Sequence, residues 1–218
     1  GSEMCIRDSA VTDRNTLSGV VRAHAAAKDA ELPFIVGARL DLRQPAISLL
    51  AYPANRQAYG SLCRLLSLGQ RRAEKGQCLL TLDDVHAHAQ GMIFALVAAG
   101  ADHLAGMRRS LKAPLYLAVS HLYRGDDRER LNRMAELAHR NQTGLLATND
   151  VLYHHSSRRV LQDVVSAIRE GVQVGQAGYL LEANAERHLK TPDEMARLFR
   201  DHPSAIANTL AIAKACRF

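Results

Sequence analysis

Short apolar runs alternate along this chain with longer segments whose apolar residues recur every three or four positions. The short runs predict strands, placed at residues 10–13, 34–40, 47–52, 92–98, 114–120 and 144–148. The amphipathic segments predict helices at 15–30, 54–68, 126–140, 157–171 and 201–216, and further helices that open at the caps Thr81 and Thr191. Strands that alternate with helices favour an α/β domain with a mostly parallel sheet.

Composition narrows the class of protein. A chain of 218 residues that is 47% hydrophobic can bury one sizeable core. It has no apolar run of about 18 residues, so a transmembrane helix is not expected. Its four cysteines form no CxxC pair, which argues against a structural zinc site and fits the reducing cytoplasm.

The net charge of +6 favours polyanionic partners, although a modest basic excess is also ordinary for a soluble protein. Two clusters carry much of the excess, and we predict phosphate contacts for Arg71, Arg72, Lys75, Arg108, Arg109 and Lys112. Aromatic residues do not interleave with either cluster, so a base-stacking platform is not indicated.

The segment 145–154 (LLATNDVLYH) is an apolar run that ends on a carboxylate. In α/β proteins this is how a strand delivers a functional side chain to the carboxyl edge of the sheet. The segment resembles the ATNDVHY segment of the PHP domain that opens bacterial C-family DNA polymerases. Three further segments resemble the error-prone branch of that family more than the main replicase: 18–24, 63–69 and 120–127. The segment 184–190, with its tail 193–199, resembles the link from the PHP domain towards the polymerase palm.

The resemblance implies a distorted TIM-like (β/α)₇ barrel that is incomplete here. It begins in mid-domain at residue 10, and the family's first strand and HxH motif do not precede it. We therefore expect a partial PHP domain over 10–175 and a helical connector towards the absent polymerase palm over 176–218. Residues 1–9 match nothing in the family and are interpreted as a non-native artefact. A barrel without its first strand exposes sheet edges, which invites aggregation.

The family holds metal ions at the carboxyl ends of its strands, and the resemblance assigns two vestigial ligands to this chain, Asp13 and Asp150. Arg14, Arg39 and Leu152 stand where other ligands are expected. Because an arginine repels a cation, we hypothesise that Arg14 and Arg39 pair with the two carboxylates in place of the metals. The alternative is that these arginines point to solvent.

Two further residues are candidates for the mouth of the barrel. Asn149 precedes the carboxylate of the NDV segment, and His121 follows a predicted strand. His121 is interpreted either as a remnant ligand or phosphate contact, or as a loop histidine with a satisfied hydrogen bond.

The resemblance implies that the parent protein is an error-prone DNA polymerase acting in replication and in translesion and SOS repair synthesis in the cytoplasm. Such an enzyme uses Mg²⁺ on palm carboxylates and contacts DNA, the rest of its own chain and other mutagenic-repair proteins, without a membrane. For this segment we expect a structural role, with no catalytic residue and no cofactor. The alternatives are a metal-dependent PHP phosphoesterase or 3′–5′ exonuclease, and a stand-alone binding or scaffold module.

Overall fold

A computed structural model describes residues 9–216 and their side chains, except those of residues 9 and 98–100. Its strands are β1 (Ser9–Arg14), β2 (Phe34–Asp41), β3 (Ser48–Pro53), β4 (Met92–Val97), β5 (Leu115–Ser120) and β6 (Gly144–Thr148). Its helices are α1 (Val20–Asp29), α2 (Arg56–Arg71), α3 (Leu82–Ala87), α4 (Leu104–Ser110), α5 (Asp127–Arg140), α6 (Arg159–Glu170), α7 (Pro192–Leu198) and α8 (Pro203–Ala215). The residues interpreted as an artefact lie outside the described part, apart from Ser9, which opens β1.

The six strands form one sheet whose spatial order, β1-β2-β3-β4-β5-β6, is also their order along the chain. The pairings β1–β2, β4–β5 and β5–β6 are parallel, whereas β3 runs antiparallel to both of its neighbours. This confirms the prediction of an α/β domain with a mostly parallel sheet. Five strands consequently end at the same edge, and β3 begins there.

The larger core covers one face of the sheet. Alternate residues of the strands, among them Leu40, Phe94 and Leu117, are completely buried there. Helices α2 to α5 supply the opposite layer through side chains such as Leu65 of α2 and Leu104 of α4. Every second residue of the strands therefore packs against helix residues that recur every three or four positions, as the sequence pattern predicts.

The other face of the sheet is covered in part by α8. Ile212 and Ala213 of this helix pack with Tyr52 of β3, Ile93 of β4 and Leu146 of β6. The Asn208 amide donates a hydrogen bond of 2.7 Å to the Leu145 carbonyl of β6. Within residues 9–216, β6 pairs only with β5, and this hydrogen bond adds a polar contact between β6 and α8.

Helix ends follow the local chemistry of the sequence. Both predicted caps are confirmed: Thr81 opens α3 in a capping box with Asp84, and Thr191 caps α7 with Pro192 in its first turn. The first predicted helix starts later than its pattern suggests, because Asn15 adopts a left-handed φ of 52° and the helix begins only at Val20. Among residues 9–216, none of the helices is long and apolar enough to cross a bilayer.

Helix α6 carries an apolar stripe that faces away from both cores. Its large apolar side chains are 38% to 73% exposed: Val160, Leu161, Val164, Val165 and Ile168. The small residues Ser166 and Ala167 lie on its buried side instead. Periodicity identified the helix, but it could not indicate which side of the helix would be covered.

Replacing Leu161 and Ile168 of α6 together by lysine should change the free energy of unfolding by less than about 1 kcal/mol, because both side chains already contact water. Leu65→Ala, at a buried position of another helix, should cost about 2–5 kcal/mol. Urea denaturation followed by far-UV circular dichroism measures both. A large loss in the lysine variant would mean that the stripe is covered in solution.

Candidate functional site

Charged side chains gather at the edge where five strands end. The parallel register of β1 and β2 sets Arg14 beside Arg39, and Asp41 ends β2. Asp150 follows β6 after Asn149 and has a left-handed φ of 42°. Strand ends from both sides of the sheet therefore contribute to this edge, which is where α/β proteins place their functional groups.

Arg39 is the centre of the group. One of its terminal nitrogens lies 3.3 Å from the Asp150 carboxylate, and its Nε lies 3.3 Å from Asp41. The other terminal nitrogen donates to the Ser48 hydroxyl at 3.2 Å. The side chain is only 13% exposed, so these oxygens replace the water that a guanidinium otherwise binds.

Arg14 pairs differently from the hypothesis. Its guanidinium contacts Asp41 at 2.8 Å rather than Asp13, and the side chain is 58% exposed. Asp13 instead accepts the backbone N–H of Gly19 at 2.9 Å, which fixes the turn before α1. A Cβ at Gly19 would lie 2.5 Å from that carboxylate, so a larger residue there would push the Asp13 side chain aside. Asp13 and Asp150 therefore have separate partners, the Gly19 N–H for Asp13 and the Arg39 guanidinium for Asp150.

The pKa of Asp41 reflects its position in this group. Burial raises the pKa, but hydrogen bonds from Ser48 and Arg14 and the charges of Arg14 and Arg39 outweigh burial and hold the pKa below its usual value. The carboxylate is thus kept in its charged form by its partners.

Arg187 is the functional neighbour that the sequence did not identify. Its guanidinium contacts the Asp150 carboxylate at 2.6 Å and donates to the Asp150 carbonyl at 2.8 Å. It also pairs with Glu182, and its side chain is only 11% exposed. The segment 184–190 contains this residue, but nothing in the sequence indicates that it contacts Asp150, which lies 37 residues earlier.

Asn149 ties the segment around Arg187 to the sheet. Its amide donates to the carbonyl of Glu186 at 3.0 Å and to that of His188. Tyr153 and His188 form an isolated bridge next to these contacts. Asn149 is buried, and its Oδ1 is without a hydrogen-bond partner among the described residues. This predicted barrel-mouth residue therefore lies under the 182–190 segment.

His121 lies at the end of β5, in a region organised by Asp127. The carboxylate of Asp127 accepts the backbone N–H groups of Leu122 at 3.1 Å and Arg124 at 2.6 Å, and it pairs with Arg130 at 2.6 Å. His121 packs edge-to-face on Tyr123, with ring centroids 5.0 Å apart. Its Nδ1 is buried and lacks a partner within residues 9–216.

The two predicted basic clusters lie on different elements. Arg72 contacts Asp84 at 2.7 Å and so joins the end of α2 to the start of α3. The other members are exposed: Arg71, Lys75, Arg108, Arg109 and Lys112. Within residues 9–216, His, Cys, Asp and Glu side chains form no group of three or more that could hold a metal ion.

Replacing Arg39 by alanine should lower the free energy of unfolding by about 1–3 kcal/mol, because two partly buried carboxylates lose a charged donor. Arg14→Ala removes an exposed arginine from the same group and should cost less than about 1 kcal/mol. Urea titration of both variants provides the comparison, and equal losses would contradict a central role for Arg39.

The contribution of Asp127 to the free energy of unfolding should depend on pH in the acid range. Burial raises the pKa of Asp127. The N–H groups of Leu122 and Arg124 and the Arg130 guanidinium lower the pKa by more than burial raises it, so the folded pKa lies below the ordinary value of 3.8. Its stabilisation is fully present above that value and is lost as the pH falls through the folded pKa.

Asp127→Asn should accordingly be less stable than the parent at neutral pH, and its stability should decline less steeply below about pH 4. Asp126→Asn, at the exposed preceding position, is the matched control and should keep the parent slope. Unfolding midpoints measured across the acid range test this. Parallel pH profiles for Asp127→Asn and the parent would disprove it.

Comparison with known proteins places this arrangement in context. No protein-family model matches the chain. It is 45% identical over 214 residues to an error-prone DNA polymerase of Caulobacter vibrioides, covering 95% of this chain and 20% of the relative. An error-prone DNA polymerase of Sinorhizobium medicae is 47% identical over 210 residues, with 91% and 18% covered.

The fold also has a counterpart among solved structures. A candidate metal-dependent phosphoesterase from Bifidobacterium adolescentis superposes with a TM-score of 0.50 at 14% identity, over 68% of this chain and 78% of the other. Such low identity supports similarity of fold alone. The chain spans about a fifth of the length of the curated polymerases that it matches. It is therefore homologous to one segment of the error-prone DNA polymerases, and its fold resembles that of the candidate metal-dependent phosphoesterase.

Proposed function

We propose that this chain is a structural PHP domain of an error-prone DNA polymerase, in which arginines neutralise the carboxylates at the metal-binding edge. The homology to a polymerase segment and the phosphoesterase-like fold support this proposal. The observation that carries it is the position of Asp150 between Arg39, at 3.3 Å, and Arg187, at 2.6 Å.

The exchange of metal for guanidinium has a physical consequence. A divalent cation would neutralise converging carboxylates and also activate a bound water for attack on a phosphoester. Guanidinium groups also neutralise the carboxylates, but they cannot bind and activate a water molecule for attack. A cation at Asp150 would have to displace two arginines that are each at most 13% exposed. We therefore infer a mechanical role, in which the ion pairs join β2, β6 and the 182–190 segment.

The same proposal covers the architecture. We infer an incomplete, distorted (β/α)₇ barrel over 10–175, followed by a helical connector over 176–218 that leads towards a polymerase palm. The chain-order arrangement of the strands supports a barrel. The packing of α8 on the sheet supports a connector that is docked rather than free.

In the parent protein, the activity would be DNA-directed DNA synthesis during translesion and SOS repair in the cytoplasm, with Mg²⁺ bound outside this segment. Partners would be the rest of the polymerase chain, DNA and other mutagenic-repair proteins. The exposed Arg71, Lys75, Arg108, Arg109 and Lys112 remain candidates for DNA phosphate contacts. Arg72 is a weaker candidate, since it is paired with Asp84.

A chimera tests the structural role. Residues 10–216 would replace the matching segment of the Caulobacter vibrioides polymerase, and primer extension and the thermal midpoint would be measured. We expect primer extension to persist and the Arg39→Ala chimera to melt at a lower temperature than the Arg14→Ala chimera. Loss of extension in a chimera with an unchanged melting profile would contradict the proposal.

The alternatives make different predictions. A metal-dependent phosphoesterase or exonuclease would retain Mn²⁺ or Zn²⁺ after dialysis and would hydrolyse a phosphodiester in a reaction abolished by Asp150→Asn. A stand-alone scaffold would not support extension in the chimera. Metal analysis of the purified chain and a nuclease assay on single-stranded DNA distinguish these outcomes from the proposed one.

A further inference from the structure

A cavity of about 180 Å³ lies beside the start of α5, apart from the arginine–carboxylate group at the sheet edge. The turn between α7 and α8 forms its other side. Its wall is rich in cationic and imidazole groups and contains one carboxylate: Arg128, Arg197, Arg200, His121, His202 and Asp201. None of Asp13, Arg39 and Asp150 lines it.

Two of these arginines are poorly satisfied by the protein. Arg128 and Arg200 face the same carboxylate, Asp201, at 3.6 Å and 3.9 Å, which is too far for a direct hydrogen bond. Neither side chain donates a hydrogen bond within residues 9–216. Arg133, one turn further along α5, contrasts with them because it contacts Glu129 at 2.7 Å. Arg128 is 79% exposed and Arg200 73% exposed, so the donors that these two guanidinium groups keep free face water at the mouth of the cavity and can meet a ligand there.

The third arginine is held in place. Arg197 contacts Glu194 at 2.8 Å and also bonds the Tyr123 hydroxyl. The hydrogen bond from Arg197 is the main cause that keeps the pKa of Glu194 below its usual value, so this carboxylate is committed to that partner. Arg197 thus lines the cavity as a guanidinium that is already paired with a carboxylate, which leaves Arg128 and Arg200 as the arginines available to an anion.

His121 also belongs to the cavity wall, and Tyr123 packs edge-to-face against its ring. The Nδ1 atom of this imidazole is fully buried, so it is not the part of the ring that meets the cavity.

The size of the cavity selects the ligand. Pockets for drug-sized molecules range from about 300 to 1,000 Å³, so a cavity of about 180 Å³ suits a small ion with a few waters rather than a nucleoside. Guanidinium groups are the preferred partners of tetrahedral oxyanions because their donors match two oxygens at once.

We propose that this cavity is a phosphate-binding site, in which Arg128 and Arg200 bind the anion. The phosphate is either free inorganic phosphate or the terminal phosphate of a single-stranded DNA. The site does not depend on the role proposed for the sheet edge, because it uses none of the same side chains.

The experiment is a titration of the complete 218-residue chain with inorganic phosphate at constant ionic strength, followed by ³¹P NMR line broadening and by the thermal midpoint. The double variant Arg128→Gln/Arg200→Gln should bind phosphate about ten-fold more weakly or worse, as expected for the loss of two charge-assisted contacts. Arg133→Gln, on the same helix, is the matched control and should bind like the parent.

Competition with short oligodeoxynucleotides identifies the source of the phosphate. Displacement by a 5′-phosphorylated oligonucleotide but not by its unphosphorylated form assigns the site to a DNA end, and displacement by neither assigns it to free phosphate. Equal weakening by Arg133→Gln would mean that only the net charge matters and would overturn the proposal. Phosphate binding that is undetectable, or unchanged in the double variant while its circular dichroism stays native, would also overturn it.

Discussion

The arrangement of this molecule depends on the need to neutralise a carboxylate at the edge where five strand ends meet. Asp150 is held there between Arg39 of β2 and Arg187 of the 182–190 segment. Arg39 lies on β2 and Asp150 follows β6, and these two strands are not neighbours in the sheet. The 182–190 segment comes from a later part of the chain. Removing either arginine leaves the other alone with the carboxylate, so the three elements depend on one another.

Much of the fold could be predicted because it is encoded locally. The apolar run that forms β4, from Met92 to Val97, is only 6 residues long, and this length favours a buried strand over a helix. The caps at Thr81 and Thr191 act within one helical turn, so spacing alone identifies them. Arg39 and Asp150 could be related only because the family resemblance placed both at the same edge.

What could not be predicted depends on contacts that are distant in sequence. Arg187 contacts Asp150 because the irregular 182–190 segment folds back over the sheet edge. The spacing of apolar residues does not predict the conformation of such a segment. Arg14 pairs with Asp41 rather than with Asp13 because successive residues of β1 point to opposite faces of the sheet. The apolar stripe of α6, with Ile168 at 73% exposure, shows the same limit, since amphipathicity indicates a face but not its partner.

The agreement between strand order in the sheet and strand order in the chain has a consequence for biosynthesis. Each new strand, as it leaves the ribosome, finds its pairing partner already made, because that partner is the strand immediately before it. The sheet can thus grow by addition at one end, without waiting for a distant segment. Helix α8 is made after β6 and packs on the sheet, where its Asn208 side chain donates to the Leu145 carbonyl. Docking of this helix can therefore follow only after all six described strands have been made.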